Sequence, residues 1–162
     1  MKVNHELNPV CYSDSEILIL GSMPSVKSRE AGFYYMHPQN RFWNVLSDLF
    51  GEKIVDKKRF LKCHHIALWD VLASCDIDGS SDYSIKNPVV NDIKSLIKGT
   101  RINTIFVTGK KALEFYNKYC FDDVLIKAIY LPSTSPANRQ IKYVDLKNKY
   151  EIILNYLEKR KN

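Results

Sequence analysis

Four short apolar runs alternate with helix-like segments along this chain, and that alternation restricts the fold more than any other feature. Glu16–Leu20, Ile66–Asp70, Asn103–Val107 and Lys127–Leu131 read as buried strands. Between and after them, Asn40–Phe50 reads as an amphipathic helix closed by Gly51, with Phe42, Trp43, Leu46, Leu49 and Phe50 near helical spacing. Asp56–Cys63 reads as a short helix and Ser74–Asn87 as a polar loop. Asn87-Pro88 reads as a helix start, because Asn can cap free N–H groups and Pro fits the first turn; that helix runs to Lys98 and stops at Gly99. Gly109–Tyr119 is a helix with Ala112, Leu113 and Tyr116 inward, and Tyr143–Lys159 a long closing helix with a basic tail, Lys159-Arg160-Lys161. Strands joined through helices run parallel and are covered on both faces. The expectation is a three-layer α/β/α fold with a four-stranded parallel sheet, in one domain over residues 1–162.

Ligands of such sheets bind outside the carboxyl ends of the strands. That rule gathers Gly21–Gln39, Val71–Asn87, Thr108-Gly109 and Pro132–Arg139 on one rim. The first of these is the most unusual: Gly21-Ser22-Met23-Pro24-Ser25, then Phe33-Tyr34-Tyr35-Met36-His37-Pro38-Gln39-Asn40-Arg41-Phe42-Trp43. A Gly/Pro/Ser loop leaving a strand presents backbone N–H groups, and aromatic, His, Asn and Arg side chains crowd beside it. The mixture suits a flat, polar, aromatic ligand next to phosphate, such as a nucleobase extruded from DNA. A net charge of +6 favours polyanion partners in the same direction.

No apolar run spans a bilayer and residues 1–8 lack a signal-peptide core, so a cytoplasmic protein is expected. Cys11, Cys63, Cys75 and Cys120 form no CxxC pair. Cys63-His64-His65 with Cys75 reads better as a helix end entering a strand than as a metal cluster, so no metal is assigned.

With those motifs in hand, the chain resembles the uracil-DNA glycosylase superfamily over nearly its whole length. The first loop and His37-Pro38-Gln39-Asn40-Arg41-Phe42-Trp43 resemble the first motif of the mismatch-specific branch, and Leu131-Pro132-Ser133-Thr134-Ser135-Pro136-Ala137-Asn138 the second motif. The hypoxanthine-DNA (deoxyinosine) glycosylase branch is more similar still, through Gly-Ser-x-Pro-Ser, Tyr-Tyr-x-His-Pro-x-Asn-Arg-Phe-Trp and Leu68-Trp69-Asp70-Val71. Met23 stands where most of the superfamily carries a catalytic Asn or Asp, and Leu131 where it carries His or Asn; both depart from a conventional uracil enzyme. Thr108 stands where the hypoxanthine branch often has Asn.

The resemblance implies a monofunctional glycosylase acting on DNA that contains a deaminated base, with no cofactor and no lyase step. It implies Asn40 as the catalytic residue orienting water; by its position alone Asn40 reads equally as a helix N-cap. The base pocket would comprise Gly21, Ser22, Met23, Pro24, Ser25, Phe33, Tyr35, Trp69, Asp70 and Thr108. Within it Tyr35 is either the ring that stacks on the base or a core aromatic. Asp70 either accepts from hypoxanthine N1–H or caps a turn. His37, Ser133, Thr134, Ser135, Pro136, Asn138 and Arg139 would meet DNA, with Lys110, Lys111 and Lys142 adding charge. A mismatch-type uracil glycosylase, a non-catalytic damage binder and a small nucleotide binder remain as alternatives. A monomer is expected, since base flipping needs one pocket.

Overall fold

The computed structural model describes residues 1–77 and 85–157. Its centre is a parallel sheet of β2 (Ile17–Gly21), β3 (Ile66–Asp70), β6 (Thr104–Thr108) and β7 (Ile129–Leu131), ordered β3-β2-β6-β7. Side chains alternate across this sheet, and both faces are buried. Ile17, Ile19, Ile66, Leu68 and Phe106 join one core with Phe42, Val45, Leu46, Phe60, Leu61, Leu146 and Tyr150. Leu18, Leu20, Ala67, Ile105 and Val107 join the other with Ile93, Ala112, Phe115 and Tyr116. The first core is closed by α2 (Phe42–Phe50), α3 (Lys57–Cys63), α7 (Tyr143–Tyr150) and α8 (Ile152–Asn155). The second is closed by α4 (Ile93–Ile97), α5 (Lys110–Tyr119) and α6 (Phe121–Val124). The expected three-layer α/β/α arrangement around a four-stranded parallel sheet is therefore what forms.

A second, antiparallel sheet was not expected. β1 (Lys2–Asn4), β4 (Leu72–Asp76) and β5 (Lys86–Val90) pair in the order β1-β4-β5. The polar stretch read as the loop Ser74–Asn87 thus contributes strand at both ends; its residues 78–84 lie outside the described residues. Asn87-Pro88 does not start a helix. Pro88 sits in an edge strand, where its missing N–H breaks no ladder, and Asn87 takes a left-handed φ of 51° while Nδ2 donates to Asp76 Oδ2 at 2.7 Å. The cap moves to Asp92, whose Oδ1 accepts from Ser95 N–H at 3.1 Å and opens the short α4.

Two smaller differences bear on the rim. The first loop contains a helix, α1 (Val26–Ala31), capped by Ser25 and ended by Gly32. The closing helix breaks at Glu151 into α7 and α8, and the basic tail 159–161 lies outside the described residues.

Candidate active site

In chain order the parallel strands run β2, β3, β6, β7, and in space β2 lies between β3 and β6. The chain leaves β2 toward one side and returns past it to the other. The crevice between β2 and β6 is therefore the switch point where ligands of such sheets bind. Gly21 ends β2 there, opposite Asp70 at the end of β3, and Thr108 ends β6. A methyl group built on Gly21 would stand 2.5 Å from Asp70 Oδ1, 3.5 Å from the Tyr35 hydroxyl and 3.6 Å from Thr108 Oγ1. Three polar groups thus converge on the space that the missing side chain leaves.

Asp70 is buried, and its other oxygen takes a 2.8 Å hydrogen bond from His5 Nε2, itself buried. Tyr35 adopts a left-handed φ of 57°, a strained setting for a bulky residue, and its ring stacks on Phe42 with centroids 3.9 Å apart. Burial, then the Asp70 charge, push its phenol above the ordinary range, so it stays a neutral O–H. That hydroxyl approaches Thr108 without completing a hydrogen bond of normal geometry. Trp69 Nε1 is likewise buried without a hydrogen-bond partner among the described residues.

Asn40 lies one residue before the N-cap of α2, which is Arg41, yet it does satisfy a free N–H at the helix start: its Oδ1 accepts from Phe42 N–H at 2.9 Å. The amide NH₂ and a second Oδ1 lone pair remain beyond that bond. His37 Nδ1 accepts from Gln39 N–H at 3.1 Å, which in the neutral ring puts the proton on Nε2. In the loop after β2, Ser22 and Pro24 are buried and Met23 packs against the second core. Ser25 Oγ accepts from Ser28 N–H, and Ser28 Oγ accepts from Met36 N–H, which ties the two ends of the loop together. Phe33 lies apart from this cluster, stacked on Trp43 at 5.9 Å and lining a shallow hollow with Val55, Asp56 and Lys57.

The loop after β7 is stitched by its own polar groups. Ser135 N–H donates to Ser133 Oγ, Asn138 Nδ2 to Ser133 O, and Ala137 N–H to Ser135 Oγ. Thr134 is buried, Pro136 half-buried and Arg139 exposed. Lys110 and Lys142 are exposed, while Lys111 pairs with Glu114 at 3.3 Å.

The pattern of the Uracil DNA glycosylase superfamily matches residues 9–158. The chain belongs to that superfamily. It is 34% identical to the hypoxanthine DNA glycosylase of Methanosarcina acetivorans over 142 residues, covering 81% of this chain and 85% of the relative. It is also 34% identical to the hypoxanthine DNA glycosylase of Methanosarcina barkeri over 114 residues, 66% of this chain and 72% of that one. Among solved structures it resembles a solution NMR structure from Methanosarcina acetivorans, named as a candidate uracil DNA glycosylase, with a TM-score of 0.82 and 32% identity over 98% of this chain and all of that one.

Within this superfamily scaffold, three residues join the two motif loops or the pocket without having been assigned from sequence. Arg41 donates from Nη1 to Ile141 O at 2.8 Å and from Nη2 to Asn138 O at 3.0 Å, and its backbone N–H reaches Thr134 O. It clamps the loop after β7 onto the start of α2. Tyr150, fully buried, donates its hydroxyl to Pro132 O at 2.7 Å and supports the same loop from below. His5 holds Asp70 from the position just after β1, the edge strand of the second sheet. Arg41 lies in the recognised motif, where its fork of donors was a signal. His5 and Tyr150 carried none. Leu131, at the end of β7, is buried in the first core.

Proposed function

We propose that this chain is a monofunctional DNA glycosylase that extrudes a deaminated base, hypoxanthine above all, and hydrolyses its N-glycosidic bond to leave an abasic site. The observation that carries this reading is the convergence of Asp70 Oδ1, the Tyr35 hydroxyl and Thr108 Oγ1 over Gly21, in a member of this superfamily whose relatives are named hypoxanthine DNA glycosylases. A purine lactam offers an N–H donor beside a carbonyl, which suits a carboxylate acceptor next to hydroxyl donors.

The reaction needs two things from the protein. Positive charge grows on the sugar as the bond stretches, and negative charge on the departing base. The hydroxyl groups of Tyr35 and Thr108 supply neutral donors to that base. Asn40, fixed at the head of α2 by its bond to Phe42 N–H, orients the attacking water through its remaining amide groups without titrating. Phe42, stacked on one face of the Tyr35 ring, braces that ring and holds its hydroxyl toward the base. His37, Ser133, Ser135, Arg139, Lys110 and Lys142 line the approach of the phosphates. Pro136-Ala137-Asn138 fill the gap in the duplex. The protein works in the cytoplasm as a monomer, with residues 1–162 as one domain.

The test is single-turnover base release from duplexes carrying inosine, uracil or xanthine, read by alkaline cleavage of the abasic site. Release from inosine ahead of uracil is expected. Release from uracil alone would replace the substrate, and binding of inosine DNA with no release from any duplex would replace the enzyme with a damage binder.

A further inference from the structure

His5 is the least expected residue at the pocket. It lies 65 residues from Asp70 in sequence, yet its Nε2 donates to Asp70 Oδ2 at 2.8 Å, with both side chains nearly excluded from solvent, at 3% and 4% exposure. The segment that carries it is fastened. β1 pairs with β4, and His5 N–H donates to Ala73 O at 2.7 Å. The ring is flanked by Tyr34, centroids 6.1 Å apart, and Trp69, edge-on at 6.4 Å. Asp70 is held on its backbone side as well, where Asn91 Nδ2 donates to Asp70 O at 2.9 Å. Its carboxylate is therefore fixed at one oxygen by His5, and the other oxygen is aimed over Gly21.

We infer that His5 is a positioning residue for base selection, acting through Asp70; the inference rests on the glycosylase reading above. A carboxylate engaged by an N–H donor is an acceptor and nothing else. Turned toward the extruded base, Oδ1 accepts from the ring N–H of a lactam. Adenine, which presents a lone pair at the same ring position, leaves that oxygen facing another acceptor, and a buried group left unpaired is heavily penalised. The pair thus lets the pocket take a deaminated purine and refuse the normal purine it came from. Without His5 the carboxylate can rotate, so that Oδ1 no longer faces the ring position that tells the two bases apart, and the distinction fades.

The experiment measures single-turnover release from duplexes carrying either inosine or 1-methylinosine, which lacks the ring N–H. The wild type should favour inosine by about 100-fold. His5→Phe, which keeps a ring and removes the donor, should slow release from inosine by about 10- to 100-fold while the preference over 1-methylinosine collapses toward unity. His5→Gln, which can still donate, should restore inosine release to within about fivefold of wild type. Asp70→Asn, whose amide can turn a donor toward the base, should lose the preference as well, and it serves if His5→Phe does not fold by thermal melting. Equal slowing on both substrates would reduce His5 to scaffold and overturn the inference. So would a wild type that releases both bases at one rate. A wild type that releases neither base fails earlier, at the glycosylase reading itself.

Discussion

Gly21→Ala tests whether the missing side chain at the end of β2 is what opens the site. The new methyl would stand 2.5 Å from Asp70 Oδ1, about 0.9 Å inside ordinary contact. Neither partner can withdraw easily. Gly21 is in register with Asp70 across β2 and β3, Val71 N–H donates to Gly21 O at 2.8 Å, and the carboxylate is tied to His5 at 2.8 Å. Overpacking of this kind costs about 1–3 kcal/mol. If the carboxylate turns away and loses His5, a charge-assisted hydrogen bond worth about 1.5–3 kcal/mol goes with it. These costs overlap, since the turn relieves the clash, and the net loss should be about 2–4 kcal/mol. In a chain of 162 residues that lowers the melting temperature by about 5–15 °C. Circular dichroism melts and urea midpoints give the stability, and single-turnover release from inosine DNA gives the function. Both should fall. Gly32→Ala is the control: nothing lies within 4 Å of its added methyl, and only the left-handed φ of 76° opposes it, so it should cost about 1 kcal/mol and leave release intact. A Gly21→Ala protein that melts within about 2 °C of wild type and releases base at the wild-type rate would refute the convergence of Asp70, Tyr35 and Thr108 as the pocket.

Asn40→Ala should lose about 1 kcal/mol of cap stability together with base release, whereas Asn40→Asp should keep the cap and still lose release by orders of magnitude; recovery of both in the Asp variant would make Asn40 a cap alone. Arg41→Lys replaces a fork that reaches two carbonyls with a point donor, and should cost about 1.5–3 kcal/mol in urea unfolding and raise amide exchange across residues 133–141; unchanged protection there would show that the loop holds itself. Burial raises the phenols of Tyr34, Tyr35, Tyr116 and Tyr150. Their contribution to stability is fully present below the unfolded phenol pKa of about 10 and is lost as pH rises beyond it, because the unfolded chain gives up those protons first; urea midpoints that stay flat from pH 9 to about 11.5 would contradict their burial. Burial also pushes the Cys120 thiol up to about 11, so a thiol reagent at neutral pH should label exposed Cys63 well before Cys120, as peptide mapping would show.

The parts of this fold that were legible in sequence are those set by near neighbours. Within Glu16–Leu20 and Asn103–Val107, the runs Ile17–Leu20 and Ile105–Val107 are apolar without interruption, as strands buried on both faces must be, and the structure buries β2 completely and leaves β6 open only at Thr108. Asn87-Pro88 misled for the same reason that it informed. The pair satisfies the local chemistry of a helix start and equally that of an edge strand, and what decided between them was pairing with β4, a segment that local pattern had assigned to a loop.

The site divides along the same line. Gly21, Asp70 and Thr108 could be placed together because they end strands, and strand ends follow from topology. The contacts that fix these groups span the chain: 65 residues from His5 to Asp70, 97 and 100 from Arg41 to the loop carbonyls. No periodicity encodes such a pair, because the partner of Arg41 is a carbonyl, which every residue has. A motif therefore marks where chemistry gathers without saying how its members divide the work. In Asn40-Arg41-Phe42 one side chain ties off the start of the helix, the next clamps a distant loop, and the third is the floor on which Tyr35 stacks. Substitutions along that tripeptide should consequently fail in three different ways: in chemistry, in loop order and in stacking. A uniform loss of stability at all three positions would mean that the motif persists for the fold alone.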